Sequence, residues 1–276
     1  MKFAQLWCIT MTILASIAPM ESSLATSDLG KPVDVEFKAD VDGAPQRYVE
    51  MLPKDFQPST PCDVLITLHG HDSDRWQCFK PENFKACRDF AARHAIIMVS
   101  PDYRATTSWM GPKAEADLLQ IIALLRNKYR VRKVFMAGGS MGGTSVLIFS
   151  ALHPELVAGI CSRNGTANML DYQNFQDAIA DSYGGNKQQQ PEEYRKRSPE
   201  LVPEKFTMPV AFIVGGKDTI VPPDSVRRLA KHLQEMKRAV LLIDRKNTGH
   251  ETNYEDATQA LEFILKASGN NDREQP

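Results

Sequence analysis

Short apolar runs rich in β-branched residues alternate along this chain with amphipathic stretches of helical period. The runs are DVLITLHG, AIIMVSPDY, KVFMAGGS, LVAGICSRNG, PVAFIVGGKD and AVLLIDRKN. Strands that are apolar almost throughout are buried on both faces, and helical connections make neighbouring strands parallel. The alternation therefore predicts an α/β fold in which helices cover both faces of a mostly parallel central sheet.

The segment that precedes these runs predicts an N-terminal antiparallel hairpin. VDVEFKADVDGAPQRYVEML alternates polar and apolar residues on either side of Asp42-Gly43, a dipeptide typical of tight turns. No internal repeat or low-complexity linker divides the rest of the sequence. We therefore expect a single domain over residues 26–276, a size that α/β folds commonly reach in one piece.

One connection between apolar runs is much longer than the others. It spans residues 166–208 and carries four aromatic residues, Tyr172, Phe175, Tyr183 and Tyr194. A crossover of this length usually holds a lid or extra helices. Because ligands of parallel α/β sheets bind beyond the carboxyl ends of the strands, where this segment emerges, we expect a lid-like insertion. The alternative is a helical crossover that only packs on the sheet.

The first residues have the composition of a signal peptide. Lys2 precedes the apolar stretch FAQLWCITMTILASIA, which ends at Pro19, and small residues stand at Ser23 and Ala25. The stretch is shorter than the roughly 20 apolar residues that a membrane-spanning helix needs. We therefore expect cleavage after Ala25, no stable membrane anchor, and a secreted or periplasmic protein.

Charge and cysteine content exclude several classes of function. The net charge is −1 and no basic stripe occurs, so a nucleic-acid partner is not expected. No cysteine pair has the CxxC spacing of a zinc or thiol-redox site. Cys62 and Cys161 lie in apolar runs and should be buried thiols. Cys78 and Cys87 flank a short helical start, and in an exported protein they could form a disulfide or stay free.

The most distinctive junction between an apolar run and a helical stretch is GGSMGG, residues 138–143. It contains G-x-S-x-G, which at a strand-to-helix turn is typical of a nucleophile elbow. The glycines leave space around a strained serine, and the helix N-terminus behind it favours developing negative charge. Ser140 is thus a candidate nucleophile, the alternative being a glycine-rich packing turn. A phosphate-binding loop is excluded, because neither the following Lys-Ser/Thr nor the GxGxxG spacing occurs.

A serine nucleophile needs a base, and the base needs a carboxylate that orients it. In this type of fold both follow the serine in the sequence, the acid first, on loops after strands. AFIVGGKDTIVPP offers Asp218 and LLIDRKNTGHE offers His250. We therefore predict the triad Ser140, Asp218 and His250.

The other acids and histidines that could serve as base or acid fit structural roles better. His94 and His153 close helical stretches and His232 lies within one, whereas Asp224 follows two prolines and looks like a helix cap. Asp244 still belongs to an apolar run and lies too close in sequence to the candidate base.

An oxyanion hole needs one backbone amide directly after the serine and another from the loop after an early strand. These positions are Met141 and, in LITLHGHDSD, His71. His69 and His71 could also be metal ligands, but no third ligand stands at a suitable spacing. We expect no metal and no cofactor, since a triad and an oxyanion hole suffice for acyl transfer.

GGSMGG, YRKRSPE with MPVAFIVGGKDTIVPPDSV, and TGHE resemble the catalytic domain of the prolyl oligopeptidase family, within the α/β-hydrolase superfamily. They also resemble small exported esterases of the feruloyl esterase and polyhydroxybutyrate depolymerase types. The resemblance covers nearly everything after the leader. It implies an α/β-hydrolase fold and a serine hydrolase that acts on a small-molecule ester or a short peptide.

Full prolyl oligopeptidases guard the active site with a β-propeller, and no segment of that length precedes the hydrolase part of this sequence. We therefore expect an open, esterase-like site, with Trp109 and Met110 of TTSWMG as walls of the substrate pocket. A serine peptidase acting on small peptides is the alternative. A non-catalytic binding protein on the same fold is disfavoured, because all three triad positions are filled. The oligomeric state is open.

Overall fold

The apolar runs form the central strands of one sheet in the computed structural model, which describes residues 28–80, 82 and 84–271. The strands of this part of the chain are β1 (Val33–Lys38), β2 (Pro45–Met51), β3 (Cys62–Leu68), β4 (Ile97–Pro101), β5 (Val131–Gly139), β6 (Gly159–Arg163), β7 (Val210–Gly215) and β8 (Val240–Arg245). Their order is β1-β2-β4-β3-β5-β6-β7-β8. All pairs from β4 to β8 are parallel, whereas β1 and β2 pair antiparallel and β2 joins β4 antiparallel. The predicted sheet and its N-terminal hairpin are confirmed.

The helices follow the amphipathic stretches of the sequence. They are α1 (Lys85–Arg93), α2 (Pro112–Lys128), α3 (Met141–Leu152), α4 (Gln176–Tyr183), α5 (Pro191–Lys196), α6 (Asp224–Glu235) and α7 (Tyr254–Asn271) in the described residues. None of these helices is long and apolar enough to cross a bilayer. The signal peptide predicted at residues 1–25 lies outside the described residues.

Alternate residues of each central strand enter two different hydrophobic cores. In β3, Val64 and Ile66 belong to one core and Leu65 to the other. The first core is completed by buried residues of α2, α3 and α6, and the second by those of α1 and α7. Both faces of the sheet are therefore covered, which explains why the strands are apolar almost throughout.

The long insertion is helical over much of its length, with α4, α5 and two short 3₁₀ turns. Tyr172, Tyr183 and Tyr194 are buried in the core, and Phe175 is partly buried. The segment thus packs its aromatic residues into the first core, beside α2, α3 and α6. A lid function for its exposed tip, residues 184–190, stays a prediction.

The four cysteines in the described part of the chain are buried free thiols. Of the two alternatives for Cys78 and Cys87, the structure has the unpaired one. Burial raises the pKa of Cys78 and of Cys161 to about 12, so both thiols are protonated at neutral pH. Like Cys62, they serve as small apolar side chains.

Candidate active site

The parallel sheet brings four loops to one edge, because each follows the carboxyl end of a strand. Ser140 comes directly after β5, Asp218 follows β7 and His250 follows β8. The segment His69–His71 follows β3, which pairs with β5. Loops at this edge of an α/β sheet are where ligands bind.

The turn at Ser140 is held in a strained conformation. Its φ of 57° and ψ of −122° are unusual for a residue with a side chain, and its amide donates to the carbonyl of Arg163 at 2.9 Å. A Cβ at Gly142 would lie 2.1 Å from the carbonyl oxygen of Leu68, and one at Gly138 would lie 2.3 Å from that of Gly142. The turn therefore needs glycine at both positions, as the elbow interpretation requires.

A continuous hydrogen-bond chain joins the three predicted triad residues. His250 Nε2 lies 2.9 Å from Ser140 Oγ, and His250 Nδ1 lies 2.6 Å from Asp218 Oδ2. When Nδ1 carries the proton and donates to the carboxylate, Nε2 accepts a hydrogen bond from the serine hydroxyl. In this arrangement the imidazole can take the serine proton while the hydroxyl oxygen attacks a carbonyl. The structure thus brings together all three residues that the sequence singled out, and their catalytic roles stay predictions.

The Asp218 carboxylate is fixed from both sides. Its side chain is buried, and Oδ1 accepts hydrogen bonds from the amides of Ile220 and Val221, each at 2.9 Å. The other carboxylate oxygen, Oδ2, is thereby directed at His250 Nδ1. The two backbone hydrogen bonds hold the carboxylate in the orientation in which it can position the imidazole.

Two backbone amides near Ser140 are free to bind an oxyanion. Among the described residues, neither the amide of Met141 nor that of His71 donates to a protein acceptor, whereas the amide of Gly70 is engaged by Gln77 Oε1 at 2.8 Å. The first turn of α3, which contains Met141, packs closely against the end of β3. A Cβ added at Gly142 would collide with the carbonyl oxygens of Leu68 and His69. The predicted pair of donors therefore lies on adjoining segments.

The loop at His71 is anchored by contacts of the His69 and His71 rings. The ring of His69 is buried and lies between the carbonyls of Gly70 and Asp102, and burial lowers the pKa of this histidine. The ring of His71 accepts a hydrogen bond from Trp109 Nε1 at 3.1 Å and packs on Phe175, with ring centroids 4.4 Å apart. Within the described residues no histidine, cysteine or carboxylate cluster could hold a metal ion.

The model of the prolyl oligopeptidase family matches residues 103–271, which is more than half of the chain. The chain belongs to the prolyl oligopeptidase family. It is therefore a serine hydrolase, and the fold is that of the α/β-hydrolases. A search among curated proteins gave no significant match.

Several solved structures share this fold at low sequence identity. An S-formylglutathione hydrolase from Staphylococcus aureus is 16% identical with a TM-score of 0.66, and the match covers 88% of this chain and 100% of that one. A ferulic acid esterase is 16% identical with a TM-score of 0.65, over 87% and 99% of the two chains. A puromycin-hydrolyzing peptidase from Mycobacterium tuberculosis is 18% identical with a TM-score of 0.69, over 92% of this chain but only 40% of its own.

In the present protein, a cavity of about 590 Å³ opens beside Ser140 and His250. Its other walls include Gly70 and Gln77, the end of β6 at Arg163 and Asn164, the start of α1, and the segment that leads into α7. Polar and apolar groups are mixed along these walls. The cavity is large enough for a small acyl ester or a dipeptide-sized ligand.

Trp109 and Met110, predicted as pocket walls, do not line this cavity in the described structure. Both are fully buried, in a loop whose backbone is left-handed at these two residues. The insertion holds the loop in place, because Tyr183 donates to the Trp109 carbonyl at 3.1 Å and Arg197 to the Met110 carbonyl at 2.7 Å. The structure corrects the prediction: Trp109 supports the ring of His71 instead.

The residues that the sequence set aside lie in surface ion pairs or on exposed helix faces. His94 lies 2.9 Å from Glu262, and His153 lies 2.9 Å from Glu115. Asp224 and Asp244 both pair with Arg227, so Asp224 is not the side-chain cap that its position suggested. His232 is exposed on α6.

Asn164 is a site residue that the sequence analysis missed. Its Oδ1 accepts from the amide of Gly215 at 3.1 Å, and its Nδ2 donates to the carbonyl of Glu251 at 3.3 Å. It therefore links the loop that bears the triad acid to the loop that bears the histidine. The signal was the polar segment SRN at the end of a buried strand, which also contains Arg163.

Proposed function

We propose that this chain is an esterase that cleaves small acyl esters through a covalent acyl-enzyme on Ser140. The observation that carries the proposal is the hydrogen-bond chain from Ser140 Oγ through His250 to the buried carboxylate of Asp218, at the wall of an open cavity. A serine, a base and an orienting acid at hydrogen-bond distance are the parts that nucleophilic acyl transfer requires.

The mechanism follows from the geometry of these groups. His250 Nε2 takes the hydroxyl proton as Ser140 Oγ attacks the acyl carbonyl, and Asp218 stabilises the imidazolium that forms. The negative charge on the carbonyl oxygen is bound by the amides of Met141 and His71. His250 then protonates the departing alcohol, and water, activated by the same imidazole, releases the acyl group from Ser140. None of these steps needs a cofactor.

We expect kcat/KM for a short or aromatic acyl ester to exceed that for the matched peptide amide by at least about 10³-fold, or roughly 4 kcal/mol of barrier. An amide leaves only when its nitrogen is protonated, so a peptidase must hold the peptide on both sides of the scissile bond. The cavity here is open and lined by mixed polar and apolar groups. Among similar folds, a small ferulic acid esterase supports this choice.

A screen of p-nitrophenyl esters beside proline-containing peptide p-nitroanilides measures this ratio. Family membership favours a serine peptidase as the second candidate function. Comparable rates on an ester and its matched amide would establish that candidate and contradict the esterase.

We also propose export, with the mature chain beginning at Thr26. Small residues at Ser23 and Ala25 fit the site that signal peptidases cleave. Intact-mass measurement of the protein from its native host should show a chain that lacks residues 1–25. A soluble cytoplasmic product that retains Met1 would contradict the proposal.

A further inference from the structure

Arg163 lines the cavity and has no hydrogen-bond acceptor in the part of the chain that the structure describes. It ends β6, is only 7% exposed, and lines the same cavity as Ser140 and His250. Its guanidinium stacks over Phe84, with Cζ 4.1 Å from the ring centroid. Its Nη2 lies 3.6 Å from the point that a Cβ added at Gly139 would occupy. Within the described residues no carboxylate, carbonyl or hydroxyl accepts a hydrogen bond from it, and Nε is buried and unsatisfied.

A second buried arginine in the same chain shows the usual arrangement. The Arg197 side chain is fully buried, and it donates to the carboxylates of Glu115 and Glu193 and to the carbonyl of Met110. Burying a charged group without such partners is costly, and a stacked aromatic ring offsets only part of that cost. The unpaired guanidinium at Arg163 therefore indicates an anion that binds from the cavity.

The surroundings of Arg163 favour negative charge in the same place. The N-terminus of α1, at residues 84–86, and that of α7, at residues 252–255, both border the cavity. Helix N-termini carry partial positive charge and unpaired amides. The other charged residues on the walls are exposed: Lys85, which pairs with Asp89, and the carboxylates of Glu82 and Glu255.

We propose that Arg163 is a specificity-determining residue that binds a carboxylate of the substrate within a few bonds of the scissile ester. The planar guanidinium matches a carboxylate in a two-point hydrogen bond. Arg163 is the β6 residue paired with Gly139, the residue before Ser140, and this position limits the distance between the carboxylate and the reacting carbonyl. The inference rests on the proposed esterase function and names its substrate class, short esters that carry a carboxylate on the acyl or the alcohol side.

Two pairs of esters test the proposal, each pairing a carboxylate with a neutral ester of the same shape. On the acyl side, ethyl hydrogen succinate is compared with ethyl 4-methylpentanoate. On the alcohol side, the acetate ester of 3-hydroxypropanoate is compared with 3-methylbutyl acetate. Hydrolysis is followed in a pH-stat with wild type, Arg163→Met and Arg163→Lys.

In at least one pair, wild type should prefer the carboxylate ester, and Arg163→Met should lower kcat/KM for that ester by on the order of 10²-fold, mainly through KM. The neutral ester should change by less than about threefold. Arg163→Lys should recover part of the loss, since lysine keeps the positive charge but cannot make the planar two-point hydrogen bond of arginine. The pair that responds identifies the side of the ester that bears the carboxylate. No preference in either pair, or an equal loss on the carboxylate and neutral esters, would overturn the proposal.

Melting temperatures separate this role from a structural one. Arg163→Met removes a buried charge that has no hydrogen-bond acceptor among the described residues, so it should not lower the melting temperature. Arg197→Met, the matched control, removes a fully buried guanidinium from its two carboxylate partners, Glu115 and Glu193, and should lower it. A comparable fall in both variants would assign Arg163 to the fold.

If wild type hydrolyses neither these esters nor p-nitrophenyl acetate, the proposed esterase function is contradicted, whatever the role of Arg163. Calorimetric titration with glutarate then still tests Arg163. Binding to wild type that is lost in Arg163→Met supports the carboxylate site. Equal binding to both proteins, or binding to neither, contradicts it.

Discussion

Replacing Ser140 with alanine should lower kcat for ester hydrolysis by on the order of 10⁵-fold while leaving the fold intact. The hydroxyl oxygen is the atom that His250 Nε2 contacts at 2.9 Å. Its loss removes the nucleophile and leaves His250 without the hydroxyl from which it takes a proton. Alanine has the same Cβ as serine, and the strained backbone at φ 57° is therefore no worse accommodated. Steady-state kinetics on a p-nitrophenyl ester, with circular dichroism for the fold, measures both effects.

Ser150→Ala provides the matched control for this variant. Ser150 is buried on α3, the helix that begins after Ser140, and its hydroxyl has no hydrogen-bond partner within the described structure. The same chemical change there should leave kcat within about twofold, because no reacting atom is involved. Retention of most activity by Ser140→Ala would reject Ser140 as the nucleophile.

Asp218→Asn should lower kcat by about 10⁴-fold with little change in structure. Asparagine can still accept from the amides of Ile220 and Val221 through its oxygen. Its NH₂ group then faces His250 Nδ1 as a donor, which favours the tautomer protonated on Nε2. That tautomer cannot accept the proton of the Ser140 hydroxyl.

Asp224→Asn is the control for the acid. Asp224 lies six residues further along the chain, is exposed, and pairs with Arg227. Exposed ion pairs contribute little, so this variant should keep wild-type kcat. A larger loss in Asp224→Asn than in Asp218→Asn would show that the acid of the triad was assigned to the wrong residue.

The sheet could be predicted from the sequence because strands that are buried on both faces consist almost entirely of apolar residues. Residues such as Val64, Leu65 and Ile66 enter opposite cores, so the strand has no polar face to interrupt the apolar run. The positions of Ser140, Asp218 and His250 followed from the same fact, since each lies in the loop or turn that follows a strand. Once the strands are parallel, their carboxyl ends must share an edge.

Features that depend on contacts between distant segments could not be predicted in the same way. The apolar pair Trp109-Met110 is equally compatible with a pocket wall and with the core, and only its contacts with Tyr183 and Arg197 decide for the core. Arg163 is a single arginine at the end of a strand. The sequence does not reveal that its guanidinium lacks an acceptor, because that depends on every segment packed around it.

The choice between a disulfide and free thiols at Cys78 and Cys87 has a similar cause. Their spacing permits either state, and bridging needs a particular distance and orientation of the two Cβ atoms. In the structure both thiols are buried and unpaired. Cysteine spacing alone therefore left open a question that packing settles.

Labelling with a fluorophosphonate, followed by mass spectrometry of the tryptic digest, tests the role of Ser140 most directly. Such a probe phosphonylates a serine only where a base activates it and an oxyanion hole binds the phosphonyl oxygen. We expect one adduct per chain, on Ser140 within the peptide 134–163, and none in Ser140→Ala. An adduct on another residue, or an active protein that takes up no label, would contradict it.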